Sequence, residues 1–155
     1  MSAPTTVGDV DQIAWYGRGP LENYPDRNRG AVLGEWTAPI DDPPYLVPQE
    51  YGLRTDCRWM ELRRGRRRAL RIDVIDPVAL HMSAIRFTDQ ELYGASHETD
   101  LDALPVATPG GRPALVLHLD VAHRGIGTGA CGPDVLPEYR IAPGEYRFSY
   151  RLTSG

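Results

Sequence analysis

The sequence contains no lysine: its 17 basic residues are all arginine, set against 21 acidic ones for a formal net charge of −4. With a pI near 5.5, the chain matches neither nucleic acid nor an anionic membrane surface, so neither is expected as a partner. Cysteine is nearly absent as well. Cys57 and Cys131 are the only two, too few for a disulfide scaffold; reduced thiols are the expectation, with one bridge the alternative. No apolar run approaches the roughly 20 residues that a bilayer span needs. The opening MSAPTTVGDVDQ has no basic start followed by an apolar stretch, so the chain reads as cytoplasmic. The four histidines, His81, His97, His118 and His123, lack metal-ligand spacing, and zinc is not expected.

What is present is punctuation. The 14 prolines and 16 glycines divide the 155 residues into short segments, which suits an all-β fold and disfavours a helical bundle. Residues 1–10 read as a flexible leader and 11–153 as one domain. Strands are predicted over Ile13–Tyr16, Val32–Thr37, Cys57–Leu62, Ala69–Ile75, Val78–Ile85, Ala114–Ala122 and Tyr146–Leu152. Alternation puts Leu115, Leu117 and Leu119 on one face, opposite His118 and Asp120. It also groups Tyr146, Phe148, Tyr150 and Leu152 against Arg147 and Arg151. One short helix is expected where Thr88 and Glu91 have capping-box spacing, limited by Gly94. A long loop through Asp100–Pro113 should follow. The run from Arg63 to Arg68 reads as a solvated hairpin turn, since the surrounding chain is acidic and no aromatics interleave with its arginines, with anion binding the alternative.

Three polar or small-residue clusters are candidates for function. After Gly17-Arg18-Gly19-Pro20 forces a turn, Glu22, Asn23, Asp26 and Arg27 crowd together beside Tyr24. That group has two readings: a sugar site on which Tyr24 stacks, or a loop closed by its own salt bridges. Glu50 and Arg54 precede Asp56 and Arg58, an arginine–aspartate network that can fix sheet register or touch carbohydrate. In Thr55–Glu61, alternation places Cys57 and Trp59 together and Asp56 and Arg58 opposite, with Cys57 a small core residue. The third cluster is the glycine-rich stretch from Gly125 to Pro133, with His123 at its mouth. It is no phosphate cradle, because neither a lysine nor a helix signal follows it.

Four blocks carry a resemblance: WYGRGPLENYPDR at Trp15–Arg27, PQEYGLRTDCRW at Pro48–Trp59, FTDQELYGASHETDL at Phe87–Leu101, and the stretch from Leu117 to Leu152 containing HRGIGTGACGPD. In this order they resemble the C-terminal region of glycoside hydrolase family 2 β-galactosidases, from about Asp11 to Leu152. The resemblance implies an antiparallel β-sandwich, about the C-terminal half of a galactose-mutarotase-like supersandwich. It also implies that both catalytic glutamates lie on a barrel without counterpart here. A retaining glycosidase needs two carboxylates about 5 Å apart, so no catalytic residue is expected in this chain. Magnesium and sodium belong to other parts of such an enzyme, and no cofactor is expected on this one. Its partners would be the remaining domains or large subunit, a galactoside substrate, and further copies of itself.

The family's glycine-rich loop often presents a tryptophan to the aglycone side of the site. By this resemblance Cys131 takes that position, in a loop one residue shorter and flanked by Ala130 and Gly129; the alternative is a cysteine buried under the loop. The alternative to this scaffold reading is a free-standing carbohydrate-binding module, which would expose Trp15, Tyr16, Tyr24, Trp36, Tyr45 and Tyr51 on one face. A mutarotase-like epimerase rests on fold analogy alone, since no histidine–glutamate pair can be assigned its acid and base.

Overall fold

A computed structural model describes residues 3–4, 10–40, 52–102, 115–126 and 134–155. Its strands are β1 (Ala3–Pro4), β2 (Gln12–Gly19), β3 (Val32–Pro39), β4 (Arg54–Cys57), β5 (Trp59–Arg64), β6 (Arg67–Asp76), β7 (Leu80–Ile85), β8 (Val116–Asp120) and β9 (Ser149–Ser154). They form two antiparallel sheets, one of four strands in the order β1-β8-β7-β4 and one of five in the order β3-β2-β5-β6-β9. The fold is an all-β sandwich. No helix among the described residues is long and apolar enough to cross a membrane.

The core follows from period-two alternation. Ile13 and Trp15 of β2 point inward with Met60 and Leu62 of β5 and Ile72 of β6. They meet Leu80, Met82 and Ala84 of β7 and Leu115 and Leu117 from the β8 region. Trp15 lies opposite both Trp36 and Met60, and its ring is fully buried. Each such large apolar side chain contributes about 1.5–3 kcal/mol on burial. Leu119 also packs on this core, so the three leucines share a face as the alternation predicts. Val116 points the other way, into a second cluster with Ile85, Leu92 and Leu101.

The Arg63–Arg68 run is the β5–β6 hairpin, turning at Gly65 with φ +54°. Its arginines are partly engaged. Glu61 of β5 accepts from Arg63 (2.6 Å) and Arg71 (2.7 Å), with Arg68 at 3.8 Å. Burial pushes the Glu61 carboxyl up, but hydrogen bonds from Arg71 and Arg63 outweigh it and leave it below the usual range.

Three expectations need correction. The alternation read through Thr55–Glu61 does not run along one strand. Asp56 takes a left-handed conformation, φ 55°, and the strand breaks at Arg58. Cys57 therefore belongs to the four-stranded sheet and Trp59 to the five-stranded one, and the chain changes layers between them. Arg18 holds the Asp56 carboxylate at 2.5 Å, a tertiary contact that local pattern cannot reveal.

Second, the described residues include two short α-helices rather than one. α1 (Asp89–Gly94) carries the predicted capping box between Thr88 and Glu91, and α2 (Glu98–Asp102) follows it. Asp100 starts the second helix by accepting the backbone N–H groups of Ser96 and His97, both at 2.9 Å. The loop expected from Asp100 therefore does not start there, because Asp100 lies in α2; the rest of that expectation, residues 103–114, lies outside the described residues. α1 is also tied to the sheet, because His118 bridges Ser83 Oγ (2.9 Å) and the Asp89 carboxylate (2.8 Å).

Third, the last strand is Ser149–Ser154, so Tyr146 and Phe148 precede it. Two residues of the expected leader, Ala3–Pro4, pair with β8.

Candidate functional site

The polar turn after β2 is built by Asn23. Its amide donates to the carbonyls of Arg18 (3.2 Å) and Leu21 (3.0 Å), and its Oδ1 accepts from the Thr55 N–H (3.1 Å) and hydroxyl. Asn23 is 1 % exposed, and these bonds engage both its amide nitrogen and its oxygen, as burial of a polar side chain requires. Glu22 is buried beside it, accepting from the Gly52 N–H (2.7 Å), Arg27 (3.2 Å) and the Tyr24 hydroxyl (3.4 Å). Burial raises the Glu22 carboxyl above its ordinary value, against the pull of Gly52, Arg54, Arg27 and Tyr24.

Arg54 is buried too, with its guanidinium 4.9 Å from the Trp15 ring centroid and one N–H donating to the Leu53 carbonyl at 3.2 Å. Its Nε has no hydrogen-bond partner among the described residues. Burial lowers its pKa, and the nearby Glu22 charge partly restores it. The two interior charges thus come from the turn after β2 and from the first residue of β4.

Tyr24 and Arg27 close a tight turn, with the Arg27 N–H donating to the Tyr24 carbonyl at 2.8 Å. Asp26 stands at its tip and reaches the far end of the sequence, accepting the Ile126 N–H at 3.0 Å. The Tyr24 ring lies 5.9 Å from that of His123. Thus the sequence-predicted residues Glu22, Asn23, Asp26, Arg27, Arg54 and His123 converge on one side of the sandwich. Glu50, Gly129, Ala130 and Cys131 lie outside the described residues.

A cleft of about 520 Å³ borders this turn, lined by Pro20, Leu21, Asp26, Arg27 and Arg29 among others. The carboxylates of Glu22 and Asp26 and the Asn23 amide are engaged with other protein groups. Among the described residues no three histidine, cysteine, aspartate or glutamate side chains group as metal ligands. Of the aromatic residues a sugar platform would expose, Trp15 and Tyr24 are buried and Tyr16 and Trp36 half-buried, while Tyr45 and Tyr51 lie outside the described part. Cys57 carries a free, buried thiol, pushed up to about 12 by burial.

Sequence reasoning missed the groups that secure the glycine-rich stretch at its two ends. Arg124 pairs with Asp134, which also holds Arg140 at 3.2 Å. The Gly125 N–H donates to the Tyr139 carbonyl at 2.9 Å. The spacing of Arg124 and Asp134 around the glycines was the available signal.

Comparison with known proteins sets this geometry in context. Residues 5–152 match the family model described as β-galactosidase small chain, a match that begins inside the segment expected as a leader. Over 139 residues the chain is 39% identical to a β-galactosidase of Aeromonas hydrophila, covering 88% of this chain and 12% of that one. It is 38% identical to a β-galactosidase of Arthrobacter sp. strain B7, covering 87% of this chain and 13% of the relative. A β-galactosidase of Vibrio cholerae is 33% identical, with 90% and 12% covered. The chain therefore spans about an eighth of the length of the curated relatives it matches.

Proposed function

The chain belongs to the β-galactosidase small-chain family, and on that premise we propose that it is a non-catalytic domain or subunit of a β-galactosidase, docking against the rest of that enzyme and supporting its site. The observation that carries this reading is the inner face of β9. Leu152 lies opposite Ile72 and Tyr150 opposite Val74. Cross-strand partners share a face, and Ile72 is fully buried in the core, so Tyr150 and Leu152 point to the sandwich interior. Yet they are 41% and 53% exposed, and Phe148, stacked on Tyr150 at 6.1 Å, is 37% exposed. Apolar side chains aimed inward and left uncovered on an edge strand call for a covering surface. The unmatched remainder of the relatives' length supplies the candidate.

Charging that face tests the docking. Leu152→Arg should leave the fold of the isolated chain intact, because the position is exposed. It should weaken association with a β-galactosidase lacking the matched segment by about tenfold or more. Isothermal titration reads the difference, and equal affinity of the two forms would remove the β9 face from the interface.

The finer part of the proposal is that the glycine-rich stretch borders the aglycone side of the site, with Cys131 in place of an aromatic platform. Galactosides would be the substrate of the assembled enzyme. Restoring the platform with Cys131→Trp should add a stacking contact of about 1 kcal/mol and lower KM for lactose roughly fivefold. An unchanged KM would refute the aglycone placement.

A further inference from the structure

We propose that Asp26 is a positioning residue that holds His123–Ile126, the stretch from which the glycine-rich sequence departs, so that the turn at 24–27 and this stretch form one mechanical unit. The inference deepens the aglycone reading above and rests on it for its consequence in catalysis, but not for its geometry.

The two segments are 100 residues apart in sequence, and their contact is specific. The Asp26 carboxylate accepts the Ile126 N–H at 3.0 Å. A backbone N–H on a carboxylate is a charge-assisted bond, stronger than an ordinary amide pair. Space at the contact is fully used: a Cβ placed on Gly125 would lie 2.5 Å from both the Asp26 carboxyl carbon and one of its oxygens. A side chain at position 125 would therefore have to push the Asp26 carboxylate aside. A second contact runs alongside, where the buried Tyr24 ring meets His123. Beneath it the turn itself is anchored, because Tyr24 and Arg27 both bond Glu22, which bonds Gly52. The opposite side of Gly125 is held by the Tyr139 carbonyl.

Asp26 can therefore be removed without removing the other supports of His123–Ile126. Its loss should free Ile126 while Arg124–Asp134 and Gly125–Tyr139 persist. In an assembled enzyme, a loosened stretch would bind the aglycone less well in ground and transition states alike. That pattern raises KM and leaves kcat in place.

The test combines amide exchange by NMR on the 155-residue chain with kinetics of the β-galactosidase it completes. Asp26→Ala is expected to speed exchange of the Ile126 amide about tenfold or more. Asp26→Asn keeps an oxygen acceptor and should restore most of the protection. Gly125→Ala approaches from the other side, displacing the carboxylate, and should reproduce the loss if Asp26→Ala proves unstable. Ile126 exchange unchanged in both Asp26→Ala and Gly125→Ala would overturn the proposal. Faster exchange with a raised KM and unaltered kcat supports both the brace and the aglycone reading. Faster exchange with unaltered KM supports the brace and overturns the aglycone reading.

Discussion

Glu22 is a carboxylate whose bonds go to protein groups. It is buried, bonded by the Gly52 N–H, Arg27 and Tyr24, and faces the buried Arg54. Desolvation outweighs these partners, so its folded pKa stands above the ordinary 4.5. The folded state then holds the proton more tightly than the unfolded state. Stability from this group is complete below the unfolded pKa and declines as pH rises through the folded one. Glu22→Gln abolishes that dependence. Denaturant midpoints measured from the carboxylate range to neutrality should show wild type losing ground to Glu22→Gln as pH rises; the reverse slope would mean that the partners outweigh burial. The polar clustering of Glu22, Asn23, Asp26 and Arg27 is readable in the sequence. Whether those groups face a ligand or one another is not, because Thr55, Gly52 and Ile126, which receive or supply the bonds, are distant in sequence.

Elements follow the same division between local and tertiary causes. α1 could be read in advance because its cap is local: Thr88 and Glu91 satisfy each other's backbone N–H groups within one turn. Thr88→Ala should lower stability by about 1 kcal/mol, seen as an earlier denaturation midpoint. An unchanged midpoint would mean that the His118–Asp89 contact holds the helix start unaided. α2 escaped the sequence reading because its start is made by Asp100 reaching back to Ser96 and His97, just before a segment whose prolines and glycines, from Pro105 on, suggest loop. The split of β4 from β5 escaped it for another reason. Alternation continues through Asp56–Arg58, and only the Arg18 contact and the positive φ at Asp56 reveal a change of sheet.

At the scale of the whole molecule, the sandwich has a filled centre and an unfinished side. Core residues from seven of the named strands or their margins converge between the sheets, yet β9 is exposed along its length. The alternation that groups Tyr146, Phe148, Tyr150 and Leu152 is present in the sequence and marks an apolar face. Only the register of β9 against β6 places Tyr150 and Leu152 on the inner side, where both remain exposed. A family match over residues 5–152, to relatives about eight times as long, supports the view that a larger polypeptide covers it. The most direct test is hydrolysis of a chromogenic β-galactoside by three samples: this chain, the Aeromonas hydrophila relative cut to exclude its matched segment, and their mixture. Neither part should hydrolyse the substrate alone, and mixing should restore activity in proportion to complex formed. Hydrolysis by this chain alone, or a mixture no more active than the truncated relative, would contradict the assignment of this chain as the non-catalytic part of a β-galactosidase.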